Sequence, residues 1–141
     1  MRREDGQTSL LIVGFFLVAV LMVVVVVDAS AAYLRRQRLD SLADGAALAA
    51  AEALQEEVVY TEGLGELAAL DPVAARRLVA DHLARLGAHR QYPGLRYAVS
   101  ADDTSIQVRV TTPLELPFAP PGWAERTTVT GTAVAVVVVD P

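Results

Sequence analysis

Residues 10–27 form an unbroken apolar run, LLIVGFFLVAVLMVVVVV, that ends on Asp28 and passes without a turn signal into a charged, alanine-rich stretch. A helix of about 18 residues rises about 27 Å, close to the hydrocarbon thickness of a bilayer. On an insertion scale Leu, Ile, Phe and Val each contribute about −0.3 to −0.6 kcal/mol, so the run is expected to insert, with Leu10, Phe15, Phe16 and Val27 among the side chains that anchor it in lipid. The five valines from Val23 to Val27 suit that setting. In lipid every backbone group must be bonded internally, so a lone span adopts a helix even where β-branched side chains weaken the propensity.

The rest of the chain bounds the function. Outside the run and its flank remain roughly 110 residues, enough for one modest core. All 12 basic residues are Arg, the net charge is −5, and no block of like charge occurs, so nothing points to nucleic acid as a partner. The absence of cysteine rules out a disulfide framework, a thiolate metal site and a Cys nucleophile. A short polar leader, residues 1–9 with Arg2, Arg3, Glu4 and Asp5, precedes the span. Arg35, Arg36 and Arg38 follow it, and this near-balance of basic residues leaves the orientation in the membrane open.

Between Ala29 and Val58 no proline interrupts, and Leu39, Leu42, Ala43, Ala46, Ala50, Ala53, Leu54 and Val58 recur with helical spacing. Residues 28–58 are therefore expected to continue the span as one amphipathic helix, with Arg36 and Asp40 paired four apart and Gly45 costing about 0.8–1 kcal/mol relative to Ala. Its small-residue stripe fits close helix packing, either against the chain's own sheet or against another chain. A loop is expected over 59–70. Asp71 before Pro72 and Gly87 after Leu86 mark a second helix over 72–86, with an inward face of Val73, Leu78, Val79, Leu83 and Leu86.

Beyond Pro93 the period changes to two. Residues 95–100 and 104–112 read as strands, the second alternating Ile106, Val108 and Val110 with Ser105, Gln107 and Arg109, and Asp102 and Asp103 supply the turn between them. The proline-rich stretch 113–123 is expected to be an irregular crossing, and 127–139 a final strand. The expected fold is thus single-pass α+β: a long N-terminal helix, a second helix, and about three antiparallel strands, with 71–141 as the C-terminal domain.

No residue set has the spacing of an active site. His82 and His89 stand about 10 Å apart along a helix, too far to share a metal ion, and adjacent Asp81 and His82 point to different sides. Asp102 and Asp103 lack calcium-loop spacing. Neither a nucleophile elbow nor a phosphate-binding glycine loop is present. No enzyme activity, cofactor or small-molecule substrate is therefore expected. Asp28 reads either as an interfacial carboxylate or as a partner for a cation on a neighbouring helix, and Tyr33 lies near headgroup depth.

The order Gly6-Gln7, a span ending in Asp28, then Tyr33, Arg36, Leu39 and the block Ala43-Asp44-Gly45-Ala46-Ala47-Leu48-Ala49-Ala50-Ala51 resembles the N-terminal signature of the TadE/TadG-like proteins of Flp (tight-adherence) pili. Gly45 departs from the alanine common after that Asp. Leu116-Pro117-Phe118-Ala119-Pro120 and Thr128-Val129-Thr130-Gly131-Thr132-Ala133 are similar to the weaker C-terminal pattern, closest to the short TadG-related type of actinobacteria.

The resemblance implies a pseudopilin-like fold and a non-enzymatic pilus-assembly or secretion component in the cytoplasmic membrane, with its N-terminus cytoplasmic and its C-terminal domain outside. It implies a processing site between Gly6 and Gln7. Assembly contacts with other pilus or secretion subunits would run through Asp28, Tyr33, Arg36, Asp44, Ala46 and Ala47. True pilins carry a Glu five residues beyond the cut; this chain has Leu11, which favours a retained anchor or minor pseudopilin over a major filament subunit. A competing reading is a secreted soluble binding module, its signal peptide ending at Ala29-Ser30-Ala31.

Overall fold

A computed structural model describes residues 4–61, 71–115 and 126–137. The first element, α1 (Glu4–Thr61), is one uninterrupted helix of 58 residues that contains both the apolar run and the alanine block. Its stretch 10–22 is exposed throughout, whereas Leu39, Ala43, Ala46, Ala47 and Ala50 are fully buried. These buried positions recur at three and four, so they form one stripe on the helix.

Helix α2 (Pro72–Arg85) starts as its sequence dictates: the Asp71 carboxylate accepts the Val73 N–H at 2.9 Å, and proline fills the first turn. Gly87 ends it in the left-handed conformation, φ 64°. The buried face of α2 is Ala75, Val79 and Leu83, with Leu78 partly buried. Val73 and Leu86 do not belong to it, being 76% and 56% exposed. Val73 sits two residues from Ala75 and so faces away from the stripe, and Leu86 lies beyond the last helical turn.

α2 runs antiparallel to α1, since His82 lies over Gly45 while Leu86 lines a groove with Gln37, Arg38, Ser41 and Leu42. A short helix that the sequence reading did not foresee, α3 (Ala88–Gln91), follows Gly87 and brings Tyr92 into the core.

Three strands complete the domain: β1 (Arg96–Ala101), β2 (Ser105–Glu115) and β3 (Arg126–Val136), antiparallel in the order β1-β2-β3. The strict alternation of β2 buries Ile106, Val108 and Val110 against the helices, as its period predicts. Asp102 closes the β1–β2 turn by accepting the N–H groups of Thr104 at 3.0 Å and Ser105 at 2.7 Å and the Ser105 hydroxyl at 2.8 Å. These bonds, that from Ser105 Oγ first, hold its carboxyl below the ordinary value of 3.8.

The irregular crossing expected from residue 113 begins later. Pro113 lies inside β2, opposite Thr128. The central strand tolerates it because β1 begins at Arg96, opposite Thr111, so at Pro113 the β1 side of β2 is already an open edge. Residues 116–123 of that crossing, with Trp123, lie outside the described residues, as do 62–70 of the expected loop and 138–139 of the expected last strand.

Candidate membrane segment and assembly face

The expected anchors are solvent-facing in the isolated chain: Leu10 is 75% exposed, Phe15 74%, Phe16 69% and Val27 42%. A contiguous apolar surface of this size on a monomer requires an apolar partner, and length and composition both fit a bilayer. Among the described residues α1 is the one helix long and apolar enough to cross a membrane. Gln7 is exposed in the first turns of α1, and the Gly6–Gln7 peptide bond is helical.

Past the span, the residues implicated by resemblance separate into two groups. Tyr33 (69% exposed), Arg36 and Asp44 face outward, together with Leu34 and Leu48. Ala46 and Ala47 are fully buried among the chain's own core residues, so the small-residue stripe is filled from within and no outside helix reaches it in this fold. Arg36 Nε lies 3.9 Å from Asp40, an exposed pair worth at most a few tenths of a kcal/mol. Asp28 is half-buried, and its Oδ1 is screened from solvent without a hydrogen-bond partner among the described residues.

Three features escaped the sequence reading. Asp40 Oδ1 accepts the backbone N–H of Thr132 at 3.1 Å, a bond from α1 to the outermost strand across 92 residues of sequence. Gly131 of β3 meets α1 backbone to backbone: a Cβ there would lie 2.3 Å from the Leu39 carbonyl carbon. The Arg35 guanidinium sits 4.7 Å from the Tyr92 ring centroid, a cation–π contact that ties α1 to the segment after α3. Only Gly131 left a trace in sequence, as a glycine inside a strand pattern.

The histidines do not meet. His82 packs over Gly45, and His89 stands edge-on to Tyr97 at 6.4 Å. Among the described residues no group of three His, Cys, Asp or Glu side chains could hold a metal ion.

This arrangement defines a class: an α+β protein in which one helix is both a membrane-length apolar segment and the shaft on which a three-stranded antiparallel sheet is built. The family model of Flp pilus-assembly TadE/G-like proteins matches residues 6–53. That segment, about a third of the chain, holds the apolar run and all but the end of the buried stripe, and over it the chain is similar to this family of Flp pilus assembly. No curated protein and no solved structure matches the chain.

Proposed function

We propose that the chain is a non-enzymatic, membrane-anchored component of Flp/Tad-type pilus biogenesis, a minor pseudopilin or assembly factor, with its N-terminus cytoplasmic and its sheet domain outside the membrane. One observation carries this reading: the TadE/G-like match covers the helix whose first half is bare apolar surface and whose second half is domain core. Membrane lipid covers the first half. Other pilus or secretion subunits contact the outward residues Tyr33, Arg36 and Asp44, and Asp28 pairs with a cation of a neighbouring helix. The unpartnered Oδ1 of Asp28 supports that pairing, because a screened carboxylate oxygen without a donor carries a desolvation cost that a cation offsets. Cleavage after Gly6 requires the first turn of α1 to unwind, a small cost at a fraying helix end.

The alternative of a secreted module cut after Ala31 has one observation in its favour. Among the described residues every buried core residue lies at or beyond Leu39, so removal of 1–31 leaves that core whole. Native N-terminal sequencing and intact mass after separating membranes from medium distinguish the two. A membrane-bound chain starting at Met1 or Gln7 is the expected result; a chain in the medium starting near Ala32 refutes the anchor. In-cell photocrosslinking from Tyr33 and Asp44 is expected to capture pilus subunits, and capture of none refutes the assembly face.

A further inference from the structure

The charges of the domain are sorted along the axis of α1, a pattern invisible in the linear sequence. Strand β1 begins, and strand β2 and helix α2 end, at the end of the domain nearest the apolar run. Arg35 shares a groove there with Pro93, Pro113, Leu114 and Glu115, and Arg38 shares one with Leu86, Gln91 and Tyr92. The fold therefore gathers Arg35, Arg36, Arg38, Arg85, Arg90 and Arg96 at this base, all exposed except the half-buried Arg35. The acidic residues at the same level are Asp28, Asp40 and Glu115, with exposed Asp44 and Asp81 one helical turn further from the span, and Asp40 is engaged by Arg36 and by the Thr132 N–H. At the far end the balance reverses: Glu52, Glu56, Asp71, Asp102 and Asp103 are exposed beside Arg76 and Arg77. Among the described residues a chain of net charge −5 thus presents a basic base and an acidic tip.

The height of the base matters. From Val27, the last apolar residue, to Arg35 is eight residues, about 12 Å of helix. The headgroup layer takes up roughly 5–8 Å of that. At Arg35 the remaining gap is shorter than the Debye length of about 8 Å at physiological ionic strength, so this arginine acts on headgroup phosphates with little screening, while Arg85 and Arg90, beside the groove of Gln37 to Leu42, stand up to about 10 Å higher and feel a weaker but still attractive potential.

We propose that the base of the domain docks on anionic phospholipid headgroups of the bilayer that α1 enters, through Arg85, Arg90 and Arg96 together with the α1 arginines. The anionic surface would hold the domain down on the membrane and set the angle at which its outward face meets partners. Each basic residue near such a surface strengthens attachment about fivefold. This inference rests on residues 10–27 crossing the bilayer.

The test uses the full chain reconstituted in vesicles of phosphatidylcholine alone or of equimolar phosphatidylcholine and phosphatidylglycerol. Amide hydrogen exchange over 86–96 is expected to slow with phosphatidylglycerol, to return to the phosphatidylcholine rate at about 1 M salt, where the Debye length is about 3 Å, and to lose its lipid dependence in the triple variant Arg85→Gln, Arg90→Gln, Arg96→Gln. The tip variant Arg76→Gln, Arg77→Gln should behave as the parent. Equal exchange in both lipids, while the protein still floats with the vesicles and resists alkaline extraction, overturns the docking and leaves the span standing. Failure to float with either vesicle overturns both.

Discussion

Gly131→Ala is expected to be among the most damaging single-methyl changes available to this domain. The added Cβ would lie 2.3 Å from the Leu39 carbonyl carbon and 2.5 Å from both the Leu39 oxygen and the Asp40 nitrogen, all backbone atoms that no rotamer change can move. Carbon atoms rest at about 3.5–4.0 Å, so α1 and β3 must part by about 1 Å, and a gap of 0.5–1 Å already forfeits a quarter to a half of each contact's attraction along the seam. Leu39, Ala43, Val129 and the Asp40–Thr132 bond lie on that seam or beside it. Overpacking usually costs about 1–3 kcal/mol; with two main chains in collision we expect the top of that range or more. For a domain of this size that lowers the melting temperature by about 12–24 °C. The assay is thermal unfolding of the full chain in detergent, followed by near-ultraviolet circular dichroism so that tertiary packing is read apart from helix content. Gly45→Ala is the internal control: its Cβ would meet only His82 Nε2 at 3.7 Å, an ordinary contact, and helix propensity should stabilise it by about 0.5–1 kcal/mol. If Gly131→Ala melts within about 3 °C of the parent, or if both changes have the same sign, the close approach of α1 to β3 is refuted.

Asp40→Ala should cost about 0.5–1 kcal/mol in urea unfolding, because the Thr132 N–H on the edge of β3 turns to water instead; Asp40→Asn, which keeps the acceptor, should recover most of it. Leu83→Ala should cost about 2–5 kcal/mol by the same measurement, since Leu83 is fully buried, while the equally conservative Val73→Ala should change stability by no more than about 0.5 kcal/mol. The Asp102 carboxyl titrates below its ordinary 3.8 in the folded chain, so its contribution to the turn is complete above that value and is lost as pH falls through the depressed one; an NMR titration of the Ser105 amide should show the transition below 3.8, and Asp102→Ala should abolish it. Ala46→Trp should lower the melting temperature sharply while leaving membrane insertion unchanged, because Ala46 is buried inside the domain and lies well past the span.

What could be read from the sequence was whatever depends on local spacing. The unbroken α1, the Asp71 cap, the left-handed Gly87, the alternation of β2 and the Asp102 turn each involve groups a few residues apart, and each has a residue type with one preferred use. The misread positions depend on where an element stops or what lies beside it. Val73 and Leu86 are apolar at the ends of α2, where helical phase alone does not reveal whether a neighbour is present to cover them. Pro113 looked like a strand breaker because its tolerance depends on the length of β1, which ends its pairing two residues earlier. The assembly face was half legible for the same reason. An alanine stripe announces close packing but not against what, and the answer came from Gly131, on the far strand.

The relation between that glycine and the alanine block also shows how unequally one contact is written into the two halves of the chain. Two main chains approach this closely only if the helix presents small side chains over several turns and the strand presents none at the crossing. On α1 that demand falls on consecutive helical positions, Ala43, Ala46, Ala47 and Ala50, and so writes a dense local pattern between Leu39 and Leu54. On the sheet it falls on one residue, with Val129, Ala133 and Val137 around it free to be any apolar group of fitting volume. The helix half of the seam is therefore legible as a dense pattern and the sheet half only as one glycine in a weaker one, although the two are halves of one contact. The matched segment, residues 6–53, ends inside α1 and one residue before the buried Leu54, so its boundary is not a boundary of the fold.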